Sequence, residues 1–258
     1  MILTGDYHTH TPYSHGKNTV DENIGAAKAL GLCQLGIADH GFSHITFGLR
    51  RKKLASYRAE CQEAAKKYGI DVLVGIEANI RGEGGKTDLT ERDFEQFDFY
   101  LCGKHVFISY DKMSDIVGYG MGNFFTDKLG KKASASLVER NTKAYINTIK
   151  NNPIDAVTHL NYLCPANALE VAKCAADYGT YIELNSKKVH LTDEELCDIV
   201  AKTSARFIIS SDAHSASRVG DTKTVEEQLL RVNFPMDRID NIDGRFPTFR
   251  FAEHKRHM

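Results

Sequence analysis

The sequence predicts an α/β protein whose seven parallel strands close into a barrel, and three observations carry that reading. Short apolar runs alternate with helix-like segments along all 258 residues. The runs are continuously apolar and several are β-branched, as strands buried on both faces are. Each run also ends in residues that bear chemistry. A closed barrel gathers all such ends on one face, whereas the competing open doubly wound sheet draws its ligand site from fewer strands.

The predicted strands lie at 2–7, 34–38, 72–76, 99–103, 156–158, 181–184 and 207–210. Helix punctuation falls between them. Asp21 can cap a helix that stops at Gly31. Residues 52–69 set Leu54, Tyr57, Cys61, Ala64 and Tyr68 on one stripe and end at Gly69. The string TDEE at 192–195 is a capping box. Pro153 and Gly179 follow helical stretches near 134–150 and 167–178. No linker or repeat interrupts the rhythm, so 1–258 is expected to be one domain. Residues 109–134 depart from it, with four glycines, two adjacent phenylalanines and no clear period. They are expected to form either a lid or a disordered insertion. Residues 250–258 read as a solvated tail carrying His254 and His257.

Composition narrows the function classes. Hydrophobic content of 42%, charged content of 26% and a net charge of −1 are those of an ordinary globular protein. They give no bulk electrostatic surface for nucleic acid or membrane. No run is long enough to span a bilayer, and the N-terminus lacks the layout of a signal peptide, so a cytoplasmic protein is expected. Six dispersed cysteines with no CxxC read as reduced thiols. Cys61, Cys174 and Cys197 are expected on helices and Cys102 in a strand, as small core residues. Any metal would therefore be held by nitrogen and oxygen.

The strand ends supply such atoms. Strand one runs into Asp6, His8 and His10, which a two-residue period sends to one side, with His15 in the loop beyond. Strand two ends in Asp39 and His40, strand three in Glu77, strand four in Lys104 and His105. Strand five ends in His159, strand six in Glu183 and Asn185, and strand seven in Asp212 and His214. Seven of the eleven histidines thus meet on one face. Crowded imidazoles repel when protonated and cost desolvation when buried. Divalent metal compensates directly, and imidazole with carboxylate suits zinc, manganese or iron.

In this order the strings HTH, ADHG, GIEANI, GKH, THLN and SSDAHS resemble the PHP family (polymerase and histidinol phosphatase). The likeness is closest to its small single-domain phosphatase branch and spans nearly the whole chain. It implies a distorted seven-stranded TIM-like (β/α) barrel with three divalent ions at the C-terminal ends of the strands, zinc first, manganese or iron as alternatives. By this resemblance His8, His10, Glu77 and Asp212 hold one ion. Glu77 bridges to a second, completed by His105 and His159, while His15, His40 and His214 hold the third. His10 and His15 are separated by four residues, one fewer than in the related phosphatases, which would shift the third ion.

The implied activity is hydrolysis of small phosphate monoesters by a metal-bridging hydroxide, with Glu77 and Asp212 catalytic and Asp212 orienting the nucleophile or taking its proton. L-Histidinol phosphate and a broad range of monoesters both fit. No GxSxG, P-loop or HExxH offers another route. Asp6 and Asp39 are expected as acceptors for imidazole N–H groups, with capping or turn roles as the alternative. Lys187, Arg218 and Lys104 are candidate phosphate contacts, and each also fits an exposed surface charge. His44 and His190 are candidate proton donors near the mouth, while Arg50 and Arg51 fit the start of a helix. Two further readings stand beside the phosphatase. A PHP-type phosphodiesterase or 3′–5′ exonuclease is disfavoured by the near-neutral charge, and a non-catalytic metal-binding regulatory module by the intact ligand set. Neither the oligomeric state nor the natural substrate is written in these motifs.

Overall fold

The computed structural model describes residues 1–258. Its seven parallel strands are hydrogen-bonded in chain order: β1 (Gly5–Asp6), β2 (Gln34–His40), β3 (Asp71–Asn79), β4 (Phe99–Gly103), β5 (Ala156–Val157), β6 (Tyr181–Asn185) and β7 (Phe207–Ser210). The two edges meet above β1, where Thr9 bridges Ala213 and the His10 N–H bonds the Ala213 carbonyl at 2.8 Å. Lower down, residues 239–242 wedge between β1 and β7. The buried Asn241 amide donates to the Gly5 and Ile209 carbonyls and accepts from the Ile209 N–H, standing in for the missing rungs. The result is a nearly closed, distorted barrel, as the sequence predicts.

The barrel is filled by Tyr7, Ala38, Phe99, Leu101, Ala156, Tyr181 and Ile208. Phe99 reaches across only because β3 presents Gly75, where a Cβ would lie 2.2 Å from its ring. Phe249 stacks on Phe99 and meets Tyr7 edge-on, packing onto this inner layer. The C-terminal segment is therefore structural: Phe251 is fully buried, and its N–H bonds the Asp155 carboxylate at 2.9 Å. Residues 250–256 are helical and tethered by Phe251, while His254 and His257 beyond it are exposed.

Eight helices complete the chain: α1 (Val20–Ala29), α2 (Leu54–Tyr68), α3 (a continuous helical run over 113–128), α4 (Ala135–Asn151), α5 (Ala168–Tyr178), α6 (Asp193–Lys202), α7 (Lys223–Arg231) and α8 (Arg250–Arg256). Gly69 and Gly179 end α2 and α5 in the left-handed region, and Thr192 with Glu195 forms the expected capping box. At α1 the cap is Thr19, paired with Glu22; Asp21 lies inside the first turn and pairs with Lys67 at 2.7 Å. Residues 113–128 are helical, with a π turn at Ile116–Met121, and Asn123 and Asn141 exchange 2.8 Å hydrogen bonds that fix the run against α4. Cys61, Cys102, Cys164 and Cys174 are buried; Cys197, although helical, faces solvent with Cys33. No helix is long and apolar enough to cross a membrane.

Candidate metal centre

Glu77 lies on the inward face near the end of β3, and imidazoles from four other chain segments close round it. His159 Nε2 lies 2.8 Å from its Oε1, and His8 Nε2 and His105 Nε2 each lie 3.3 Å away. On the other oxygen, His40 Nδ1 approaches to 2.8 Å and His10 Nε2 to 3.8 Å. Asp212 forms a second focus, 3.4 Å from His10 Nε2 and 3.2 Å from His214 Nδ1. His15 makes no polar approach of this kind. Its ring stacks on His40 at 4.9 Å and meets His214 edge-on at 4.3 Å. All nine residues of the expected ligand set therefore fall in one cluster. The tightest donor groups within it are His8, His10 and Glu77; His40, Glu77 and His105; and His10, His40 and His214.

The backbone aims two members at some cost. His159 and Asp212 have φ of 33° and 47°, a region that non-glycine residues seldom occupy and that concentrates at functional sites.

Electrostatics explains why such a cluster can stay buried. Burial alone would raise the Glu77 pKa, but His105, His8 and His159 outweigh it and hold the carboxyl well below its usual range. Asp212 is likewise held low against burial, by His8, His10 and His214. Burial also works against protonating His8, yet Glu77 and Glu183 keep its pKa well raised. His10 and His40 go the other way: burial first, then neighbouring imidazoles, push His10 well down and His40 to about 4. Two ionised carboxylates thus sit among rings that cannot all carry protons.

The donor set fits divalent ions by a second test. Buried His8 Nε2, both ring nitrogens of His10 and His159 Nδ1 have no hydrogen-bond partner, and His40 Nδ1 and Glu77 Oε2, though 2.8 Å apart, are not aligned to bond each other. Buried polar atoms are rarely left so, and this many in one place marks a site completed by something else. Nitrogen and carboxylate oxygen donors of this kind suit zinc, manganese or iron.

The imidazoles are oriented by residues that the strand-end pattern did not assign. Glu183 on β6 accepts from His8 Nδ1 at 2.6 Å and from the His159 N–H at 2.7 Å. Asn79 accepts from His105 Nδ1 at 2.8 Å, and its own amide is held the right way round by donating to Asp88 at 2.6 Å. Each leaves Nε2 of its histidine turned towards Glu77. The available signal was the two-residue period, which puts Asn79 on the same face as Glu77 and Glu183 on the same face as Asn185.

Asp6 and Asp39 take the alternative role. Asp6 accepts from Ser211 Oγ at 2.5 Å and the Gly220 N–H at 2.9 Å, anchoring the loop that carries Asp212 and His214. Asp39 accepts from the Thr11 N–H at 2.8 Å and from Ser14 Oγ, anchoring the loop that carries His15. The period fails for Asp6 because β1 ends there.

The cluster opens into a cleft of about 250 Å³ lined also by His44, Phe47, Phe107, Tyr162 and Lys187. Lys187 Nζ lies 3.2 Å from Asp212 and 3.1 Å from His214 Nδ1. The other two basic candidates are not brought to the cleft. Lys104 is buried behind the cluster, donating to the His105 carbonyl at 2.6 Å and to Tyr110 Oη at 3.0 Å, and burial pushes its pKa down to about 8. Arg218 pairs with Asp221 at 2.8 Å. His190 lines a neighbouring pocket beside Tyr162. Arg51 pairs with Asp93 at 2.8 Å, in keeping with its place before α2.

Comparison with known proteins fits this arrangement. A probable phosphatase of Caldanaerobacter subterraneus subsp. tengcongensis is 30% identical, the match covering 93% of this chain and 88% of that protein. A probable phosphatase of Proteus mirabilis is 29% identical, covering 93% and 90%. Among solved structures, histidinol phosphate phosphatase from Lactococcus lactis, complexed with zinc, L-histidinol and phosphate, aligns over 98% of both chains. The TM-score is 0.61 at 14% identity, a likeness of fold. Residues 6–187 match the PHP domain. The chain belongs to the PHP domain family.

Proposed function

We propose that this protein is a metal-dependent phosphatase that hydrolyses small phosphate monoesters with three divalent ions, zinc first among them. The observation that carries the reading is the convergence of seven imidazoles, Glu77 and Asp212, with unpartnered donor atoms, in one buried cluster that opens into a small cleft. His8, His10, Glu77 and Asp212 would hold one ion, Glu77, His105 and His159 the second, and His15, His40 and His214 the third. The approach of His40 to Glu77, at 2.8 Å, is in keeping with subsites that adjoin.

When bound, such ions supply positive charge for the phosphoryl oxygens and make a water acidic enough to attack at neutral pH. The remaining tasks fall to the chain itself. Asp212, at the cleft wall, orients the attacking water and accepts its proton. Lys187 Nζ, half-exposed beside Asp212, contacts a phosphate oxygen. His44 Nδ1 accepts from the Phe47 N–H at 3.1 Å, so the neutral ring carries its proton on Nε2 and can donate a hydrogen bond to the leaving oxygen. Phe47, Phe107 and Tyr162 wall the leaving group. A cleft of about 250 Å³ suits a small ester better than a polymer.

The relatives named as probable phosphatases support the activity, and the ligands of the Lactococcus structure put histidinol phosphate among the esters to try. The test is phosphate release by zinc-loaded protein from histidinol phosphate, sugar phosphates, nucleotides, an aryl phosphate and an aryl phosphodiester. Turnover of monoesters supports the reading. Preference for the diester would replace it with a phosphodiesterase, and silence on every substrate would leave a binding module.

A further inference from the structure

Helix α3 carries an apolar stripe on its open side. Met113, Val117, Met121, Phe125 and Leu129 recur at intervals of four and are all exposed, Met113 by 78% and Leu129 by 60%. In α geometry a spacing of four drifts about 40° per step, so the series would wind round the helix. The wider π turn at Ile116–Met121 rotates each residue less and offsets that drift, keeping the stripe on one face. The opposite face is already committed: Tyr119 is fully buried, and Asn123 and Asn141 exchange hydrogen bonds. Turning the stripe inward would break both, so the chain cannot cover it with its own body.

The apolar surface continues along the rim of the cleft. Phe124 meets Phe107 at 6.3 Å, and the Phe107 carbonyl bonds the N–H of exposed Ile45 at 2.9 Å. Summed over whole residues, the stripe with Phe107 and Ile45 exposes on the order of 800 Å², comparable to the share of one partner in a standard interface. Grouped exposed apolar side chains of this kind mark an interaction site.

We infer that this face is a two-fold interface between two copies of this chain, α3 packing antiparallel on α3 about an axis at Met121. The spacing is self-complementary, as such an interface requires. Met113 falls opposite Leu129 of the partner subunit and Val117 opposite Phe125 of the partner subunit. Asp111 and Lys131 flank the two ends of the helix, so antiparallel packing would bring opposite charges near each other there. Asp115, which would face the partner's Asp127, is turned inward to the Glu83 N–H. Because Phe107 belongs to both the patch and the cleft, the assembly walls one side of each cleft.

Sedimentation of the full chain at micromolar concentration tests this, with a species of about twice 28.8 kDa expected. Met121→Lys sets two ammonium groups against each other on the axis and should give a folded monomer, because Met121 is exposed. Met121→Cys, in a background with Cys33→Ser and Cys197→Ser, should oxidise to a cross-linked dimer, and this decides the case if Met121→Lys does not fold. A wild-type protein that sediments as one chain overturns the inference, as does a dimer that survives Met121→Lys or an absent cross-link. A monomer that binds neutral phosphatidylcholine vesicles would overturn it in favour of a membrane surface.

Discussion

Replacing Glu183 by Gln separates orientation of the centre from the ligands themselves. The carboxylate accepts three hydrogen bonds, from His8 Nδ1 at 2.6 Å, the His159 N–H at 2.7 Å and Asn185 Nδ2 at 3.0 Å. Gln keeps the shape but has a single acceptor oxygen, so its NH₂ must face a donor. The imidazole can meet it by moving its proton to Nε2, the atom that faces Glu77. Losing a partner of this kind costs about 10–100-fold in metal affinity, or roughly 1.4–2.7 kcal/mol at 1.36 kcal/mol per tenfold. The buried charge-assisted bonds add about 1.5–3 kcal/mol of fold stability. Competition with a chromogenic chelator reads the first quantity, and thermal unfolding of the metal-free protein reads the second. Wild-type zinc affinity in Glu183→Gln would refute the argument that this carboxylate sets the His8 tautomer.

Three other outcomes follow from the same geometry. Gly75→Ala drives a Cβ to 2.2 Å from the buried Phe99 ring; chemical denaturation should show a loss of about 1–3 kcal/mol, and an unchanged midpoint would contradict the packing. Lys187→Ala should raise KM about tenfold, the worth of one charge-assisted bond, while metal content stays at the wild-type level; a fall in metal content instead would make Lys187 part of the metal cluster. Burial pushes the Asp155 carboxyl up to about 7, against N–H bonds from Phe251 and Tyr100. Its folded pKa is thus raised, so its stabilisation is full below about pH 4 and is lost as pH rises through 7, at up to about 1.4 kcal/mol per unit. Wild type should therefore lose stability relative to Asp155→Asn between pH 4 and 7, and parallel curves would show that Asp155 does not titrate there.

Much of this was legible because the features are local. A histidine or carboxylate at the end of an apolar run needs only the barrel to bring it to the shared face, and all nine expected ligands lie there. The helix ends at Gly69, Gly179 and Thr192 were legible for the same reason, since a left-handed cap or a capping box spans four residues. What escaped depends on contacts between distant segments. Glu183 finds its role only when β6 lies across from His8, 175 positions away. Asp6 and Asp39 sit beside ligands in sequence, yet turn to the loops that carry Asp212 and His15. Lys104 stands next to His105 just beyond β4 but points behind the cluster among Tyr110 and Tyr119. Residues 113–128 hid their helix because a π turn breaks the 3.6-residue period.

Metal stoichiometry and phosphate release measured on the same sample test the central claim most directly. Elemental analysis should find three divalent ions per wild-type chain, with turnover lost on chelation and restored by zinc. Glu77→Gln should lose the two ions proposed to bind its carboxylate, and nearly all turnover with them. A chain that binds no ion, or that hydrolyses monoesters equally well after chelation, would contradict the account.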